Sequence, residues 1–310
     1  MSNATAILWD YFYDITTTLV FKWYPLIMLL TPLFMTLWFY LMAVAVHIYK
    51  WRKQVVTQAY NDNIWDGLRI TLAAITDAQG HFWHNYEIKG LENLPKKGGA
   101  LLIGYHGALP LDAYYLIARM ILDKKRKFRI VVDKFLFQAP GLKLLMRVFN
   151  CMPGTISDCV EALNNGEILM IYPGGLRESL LSDEKYELLW RSRLGFSRVA
   201  LEAEVPIIPF FTKNIREACR SVKFSARFAS WLYEKTRLPL LPLIGIFPVE
   251  LTTYLGKPIY IDDEDEPIEV AKTVTKRVEF LIKKHQVLPG SILRELYNRF
   301  WLKRRMKKSE

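Results

Sequence analysis

Cysteine and histidine are scarce in this 310-residue sequence, and several common catalytic signatures are missing. The three Cys (Cys151, Cys159, Cys219) form an odd number without CxxC spacing. That excludes a disulfide scaffold or a zinc ribbon and fits a reducing, cytosol-facing environment. There is no GxSxG elbow, no P-loop and no GxGxxG, so the usual settings for a serine nucleophile and for nucleotide phosphates are absent. Of the five His, His81 and His84 stand three apart, but no Cys or third ligand accompanies them, and no metal is expected there. Internal repeats and low-complexity segments are missing too. A content of 51% hydrophobic and 14% aromatic residues excludes disorder as the main state.

Charge is missing from one stretch. Between Trp23 and Tyr49 there is no Lys, Arg, Asp or Glu. The run exceeds the ~20 residues needed to span hydrocarbon and is expected to anchor the chain in a membrane. A signal peptide would place a basic segment before a shorter apolar core; here Asp10 and Asp14 precede the run. Pro25 and Pro32 interrupt it, so it either crosses once with a kink or turns back as a hairpin. Lys50, Arg52 and Lys53 follow closely and put the rest of the chain in the cytosol. Asn3-Ala4-Thr5 is the one glycosylation sequon, open to modification only with a lumenal N-terminus. Overall, 42 Lys and Arg against 31 Asp and Glu leave a net charge of +11, with a mean hydropathy of +0.08. Basic and apolar together suit a membrane surface. Nucleic acid would explain the charge but not the apolar excess, and is not an expected partner.

Four regions are expected: an anchor over 1–50, an amphipathic connector over 51–98, an enzyme-sized domain over 99–290, and a basic tail over 291–310. In the third, Ala100–Tyr105, Phe128–Val132, Glu167–Tyr172 and Pro206–Phe211 are short apolar runs bounded by Gly or Pro. They read as buried strands. Leu111–Leu122, Ser157–Leu163 and Arg193–Ala203 have helical spacing between them, which argues an α/β sheet with crossover helices. Val249–Ile261 is expected as a late strand pair and Ile268–His285 as a helix. In the tail, Phe300 and Trp301 stand beside Arg299, Lys303, Arg304, Arg305, Lys307 and Lys308. Such a cluster either binds an anionic membrane surface or is a solvated end; the two aromatics favour the membrane.

Three elements point to chemistry. His106 follows the first strand, and Asp112 falls in the first turn of the next helix, which Pro110 helps to start. A carboxylate there is expected to accept one imidazole N–H and leave the other nitrogen as a general base. That is two thirds of a triad, without its nucleophile, and it fits activation of a substrate hydroxyl. Next, Tyr172-Pro173-Gly174-Gly175-Leu176-Arg177-Glu178 ends a strand. Its two glycines let backbone approach a ligand, and Arg177 and Glu178 add a cation and a carboxylate. Last, Val205-Pro206-Ile207-Ile208-Pro209-Phe210-Phe211 has proline within an apolar strand, which places it at an edge or a channel wall.

In this order the three elements resemble the glycerolipid acyltransferase superfamily, whose pattern is a strand, a His-(x)4-Asp turn, a Pro-Glu-Gly-Thr-Arg-like loop and a Val-Pro-Ile-x-Pro strand. Tyr105–Asp112, Pro173–Glu184 and Val205–Glu217 look like the transmembrane protein 68 group within it. Two features depart from the pattern. Five residues, not four, separate His106 from Asp112, and Gly174 and Leu176 stand where the superfamily has Glu and Thr. The loop Gly174–Glu178 looks more like that of type 2 diacylglycerol acyltransferases. The resemblance implies an acyl-CoA-dependent acyltransferase of the endoplasmic reticulum membrane, with acyl-CoA as co-substrate and neither cofactor nor metal. His106 and Asp112 would be catalytic; Gly174, Gly175, Arg177, Glu178 and Pro209 would bind substrate. The acceptor would be mono- or diacylglycerol, with a lysophosphatidate-type acceptor or a non-catalytic lipid-binding role as rivals.

Overall fold

The computed structural model describes residues 33–34, 36–48, 64–123, 126–139, 141–190, 193–221, 231, 235, 243–262 and 264–302. Residues 23–32, 35 and 49 of the apolar run Trp23–Tyr49 lie outside them. Its last part is a helix over 36–48 (α1), and among the described residues no helix is long and apolar enough to cross a membrane. The basic residues beyond Leu302 also lie outside them.

Seven strands form one sheet: β1 (Glu87–Lys89), β2 (Ala100–Gly104), β3 (Phe128–Val132), β4 (Cys151–Pro153), β5 (Ile168–Ile171), β6 (Ile207–Lys213) and, after a separate hairpin of β7 (Cys219–Ser221) and β8 (Leu243–Gly245), β9 (Thr252–Leu255). The order is β1-β9-β6-β2-β5-β3-β4. Every pair is parallel except β6 with β9. Strands covered on both faces must be apolar throughout, and Ala100–Gly104 is buried at every position. Alternate residues feed two cores: Leu101, Ile103, Leu169 and Ile207 on one face, Leu102, Met170, Ile208 and Phe210 on the other.

Helices cover both faces. The second core takes α1, α2 (Ile64–His84) and α3 (Leu111–Asp123). The first takes α6 (Ile156–Asn164), α8 (Gly195–Glu202) and α10 (Pro267–His285), the last through the stripe Val270, Val274, Val278 and Leu281, one turn apart. Two short helices, α4 (Phe135–Gln138) and α5 (Leu142–Val148), link β3 to β4. The α/β expectation holds, and β1 carries the sheet back into the stretch expected as a connector. Val249–Ile261 supplies one strand rather than a pair: Thr252–Leu255, then a single bridge from Ile259 to Ile207.

That bridge corrects the placement of Pro209. β6 lies inside the sheet, between β2 and β9, although proline removes a ladder donor. Phe210 pairs with Leu255 but Ile207 with Ile259, so the partner strand carries one extra residue opposite Pro209. This is a bulge, where the missing donor costs no ladder bond, and the Gly256 N–H donates to the Pro209 carbonyl at 2.7 Å.

Candidate active site

β2 and β5 are parallel neighbours, with Ile103 opposite Ile171, so the loops that follow them leave the same edge of the sheet. The chain after β2 enters α3 on one face, and the chain after β5 runs on to α8 on the other. Such a divergence opens a crevice at the carboxyl ends of the strands, where α/β proteins bind ligands. His106 stands on one side of it and Tyr172–Glu178 on the other.

The His106 ring packs edge-on against Tyr172, with centroids 4.9 Å apart. Its Nδ1 lies 2.7 Å from the Gly107 carbonyl oxygen. A carbonyl can only accept, so Nδ1 carries the proton and Nε2 keeps its lone pair. Burial, with some help from the Arg216 charge, draws the imidazole pKa down to about 4. The ring is therefore neutral at physiological pH.

Asp112 is fully buried, but the expected bond to His106 is absent. One carboxylate oxygen accepts the Ala113 N–H at 3.0 Å and the other the Thr212 hydroxyl at 2.8 Å. Thr212 in turn meets Thr253 at 2.8 Å, and Thr253 meets the Tyr86 hydroxyl at 2.8 Å. The Tyr172 hydroxyl is buried next to the same carboxylate, without a hydrogen bond of ordinary geometry. Burial raises Asp112 to about 6, against the opposing effect of the Thr212 bond. Asp112 ties α3 to β6; the Gly107 carbonyl, not Asp112, fixes the histidine tautomer.

The second loop also differs from expectation. Glu178, in α7 (Gly175–Leu181), is fully buried. Its two carboxylate oxygens accept the backbone N–H groups of His106 at 2.8 Å and Leu189 at 3.0 Å. Both are thus spent inside the protein, and burial raises its pKa to about 7. The side chain folds back over Gly174, where a Cβ would come within 2.5 Å of the Glu178 Cβ. Glycine is needed there for space. Gly175 has φ +50° and gives its N–H to the Tyr172 carbonyl at 3.1 Å. Gly175 and Arg177 line the cavity beside His106, whereas Gly174, Glu178 and Pro209 do not.

Beneath both loops lies a buried polar network that the sequence reading did not single out. Arg216, in α9 (Ile215–Ala218), is 1% exposed. Its Nε donates to the Tyr105 hydroxyl and its Nη2 to the Glu178 carbonyl, with a further bond to the Ser179 carbonyl at 3.2 Å. Tyr105 meets Ser182 Oγ at 2.6 Å, and Ser182 donates to the Glu187 carbonyl at 3.1 Å. Ser179 donates to the Ala108 carbonyl at 2.6 Å. One guanidinium therefore holds the residue before His106 and the first turns of α7 together. The signal was Asn214-Ile215-Arg216-Glu217 directly after an apolar strand, a place where buried charge needs partners.

A cavity of 1180 Å³ opens beside His106. Trp38 and Leu41 of α1, Ile75 of α2, Leu109, Tyr114 of α3, and Phe149 give it an apolar wall. Arg177, Arg193 and Lys134 also line it, whereas the sequence reading counted Arg177 as the one cation of the loop. The Arg193 guanidinium donates to the Pro173 carbonyl at 2.8 Å. The cavity thus combines a neutral imidazole, a long apolar wall and cations, which suits a substrate with an aliphatic chain and an anionic part.

The model of the Acyltransferase family matches residues 85–213, the span from β1 to the end of β6. This chain belongs to the glycerolipid acyltransferase superfamily. Among its relatives, "DGAT1/2-independent enzyme synthesizing storage lipids" from Homo sapiens is 48% identical over 276 residues, 89% of this chain and 85% of that protein. The Bos taurus protein of the same description is 45% identical over 289 residues, 93% of this chain and 86% of that protein. A solved structure, the 1-acyl-sn-glycerophosphate (LPA) acyltransferase PlsC from Thermotoga maritima, overlaps 83% of this chain and 97% of its own, at 15% identity and a TM-score of 0.49.

Proposed function

We propose that this acyltransferase moves a fatty acyl group from acyl-CoA to the free hydroxyl of a mono- or diacylglycerol, making neutral storage glycerolipid. The observation that carries the reading is the tautomer of His106: Nδ1–H is bound to the Gly107 carbonyl, and the unprotonated Nε2 belongs to a residue that lines the cavity. Nε2 takes the proton of the acceptor hydroxyl as its oxygen attacks the thioester carbonyl. Collapse of the tetrahedral adduct breaks the C–S bond, and the imidazolium returns the proton to the departing CoA thiolate. The thioester is already activated, so the step calls for no cofactor and no metal. The relatives' description as enzymes synthesizing storage lipids supports the neutral acceptor.

The apolar cavity wall takes aliphatic chain, and Arg177, Arg193 and Lys134 match the phosphates of the CoA donor. Residues 23–49 anchor the enzyme in the endoplasmic reticulum membrane with the sheet domain facing cytosolic acyl-CoA. Tyr40, Val44 and Ile48, exposed on α1 away from the cavity wall, accord with that reading. The same three cations favour a second reading, in which the phosphate belongs to a lysophosphatidate-type acceptor. Purified full-length protein in mixed micelles, supplied with labelled oleoyl-CoA, separates the two. Diacylglycerol or monoacylglycerol should be acylated much faster than lysophosphatidate at matched surface concentration. A preference for lysophosphatidate that disappears in Arg177→Ala overturns the neutral-acceptor reading, and no transfer to any acceptor overturns both.

A further inference from the structure

Large apolar side chains are scattered singly over most protein surfaces, where they need no explanation. Apart from α1, they gather at a further place among the described residues. Helix α11 (Ile292–Tyr297) is followed by a π-helical turn over Asn298–Leu302. Leu293 and Tyr297 are four apart, on one face of the helix. Tyr297 stacks on Trp301 with centroids 5.9 Å apart and planes within 9°, and Phe300 meets Trp301 edge-on at 6.2 Å. Arg299 clamps this turn to the end of α2. Its guanidinium donates to the carbonyls of Pro248 at 2.7 Å, Phe82 at 3.2 Å and Trp83. Phe82 and Trp83 therefore stand beside the C-terminal aromatics, although more than 200 residues separate them in sequence. Phe82 is 79% exposed, Leu293 80% and Trp301 59%. Together with Trp83, Tyr297 and Phe300 they form an aromatic and aliphatic surface that the described chain leaves open.

We infer that this surface docks on a lipid bilayer bearing anionic headgroups, as a contact separate from residues 23–49. Three observations select that occupant over a second protein. First, half of the patch is Trp83, Tyr297 and Trp301, the residue types that settle at the level of lipid headgroups. Second, the chain continues from the patch into Lys303, Arg304, Arg305, Lys307 and Lys308, a cluster that attracts an anionic leaflet. Third, the patch adjoins the cavity: Trp83 Nε1 donates to the Ile246 carbonyl at 2.9 Å, and Ile246 lines the cavity beside His106. Docking here brings the cavity wall to the membrane surface, where a chain-bearing lipid has only a short path to it. The inference concerns a surface and does not depend on which acceptor is used.

Leu293→Cys carries the test. The site is open; Cys159 and Cys219 are buried, and Cys151, half-buried on the cavity wall, is replaced by Ala in both labelled samples. Full-length protein, labelled at Leu293→Cys with a small fluorophore, is reconstituted in phosphatidylcholine vesicles containing phosphatidylserine. A second sample is labelled at Lys272→Cys on α10, whose side chain is 60% exposed. Quenching by a lipid-borne nitroxide should be severalfold stronger at Leu293→Cys, and quenching by aqueous iodide severalfold stronger at Lys272→Cys. Omitting phosphatidylserine should weaken the lipid contact at Leu293→Cys while leaving Lys272→Cys unchanged. Equal access of iodide to both probes in protein that sediments with the vesicles overturns the docking surface but leaves the anchor standing. Protection of Leu293→Cys that depends on protein concentration and ignores the lipid quencher shows a second copy instead and also overturns it, as does lipid contact indifferent to phosphatidylserine.

Discussion

The loops after β2 and β5 look alike in sequence, each a glycine-containing turn that carries an ionisable residue into a helix. Their side chains are used in opposite ways. The first loop gives His106 to the cavity wall and satisfies its Nδ1 locally, through the next residue's carbonyl. The second turns Glu178 inward and spends both carboxylate oxygens on backbone N–H groups, one of them that of His106 itself. One loop presents a ring to the cavity; the other fixes the backbone on which that ring stands. Charge in a strand-to-helix turn is therefore not by itself a sign of substrate contact. Burial and hydrogen-bond partners decide its use.

The sharpest break between the loops is at their ionisable residues. His106→Ala should lower acyl transfer by ~10²–10⁴, the range for loss of a general base, while the thermal unfolding midpoint in detergent stays close to that of the parent. Near-parental turnover would remove His106 from the mechanism. Glu178→Ala should act the other way round, on the fold first. It leaves two backbone N–H groups buried and unpaired, at ~1–3 kcal/mol each, so the unfolding midpoint should fall clearly. Glu178→Gln keeps one acceptor oxygen and should lose about half as much. If Glu178→Ala keeps its midpoint and loses only affinity for the acceptor, the carboxylate touches substrate after all.

How much of this was legible in the sequence follows from what kind of signal each feature leaves. The buried parallel strands were legible because full burial demands unbroken apolar runs; Ala100–Gly104, buried at every position, falls within the expected Ala100–Tyr105. β1, three residues of mixed character at an edge, and β4, only three residues long, left no such run. Pro209 was read as an edge marker because the sequence does not show the bulge opposite it. The place of His106 on the cavity wall was legible from its position after a strand. Its partner was not, because two residues six apart in a turn are close in sequence while their side chains can point to different elements. Asp112 points to Thr212, a hundred residues away. Arg216 was overlooked for the same reason: its partners Tyr105 and Glu178 come from both loops, and no local pattern joins them.

Asp112 allows a finer test of the first loop. In a His–Asp pair, Asp to Asn costs ~10⁴ because the amide favours the wrong tautomer. Here the Gly107 carbonyl sets the tautomer, and an Asn at 112 can still accept from the Thr212 hydroxyl. Asp112→Asn should therefore lower turnover by no more than about tenfold, with Asp112→Ala worse through loss of the Thr212 bond. A loss from Asp112→Asn as deep as that from His106→Ala would show that Asp112 reaches the imidazole once substrate is bound.

The smallest expected effect lies in the pH dependence of stability, where the loops should again oppose each other. Burial raises Glu178 from 4.5 to about 7. Its protonated form is favoured by folding, so that contribution is full below pH 4.5 and is lost as the pH rises through 7. Burial lowers His106 from 6.5 to about 4. Its neutral form is favoured, so that contribution is full above pH 6.5 and is lost as the pH falls through 4. Between these limits the two slopes oppose each other. Each substitution then uncovers the other slope. Glu178→Gln should gain stability relative to the parent as the pH rises from 4.5 to 7, and His106→Ala should gain relative to it as the pH falls from 6.5 to 4. Denaturation midpoints across that range, with the parent beside each variant, read the difference directly. Parallel pH profiles for parent and Glu178→Gln would mean that the Glu178 carboxylate titrates as it does in the unfolded chain, and that its burial is offset by the two N–H groups it accepts.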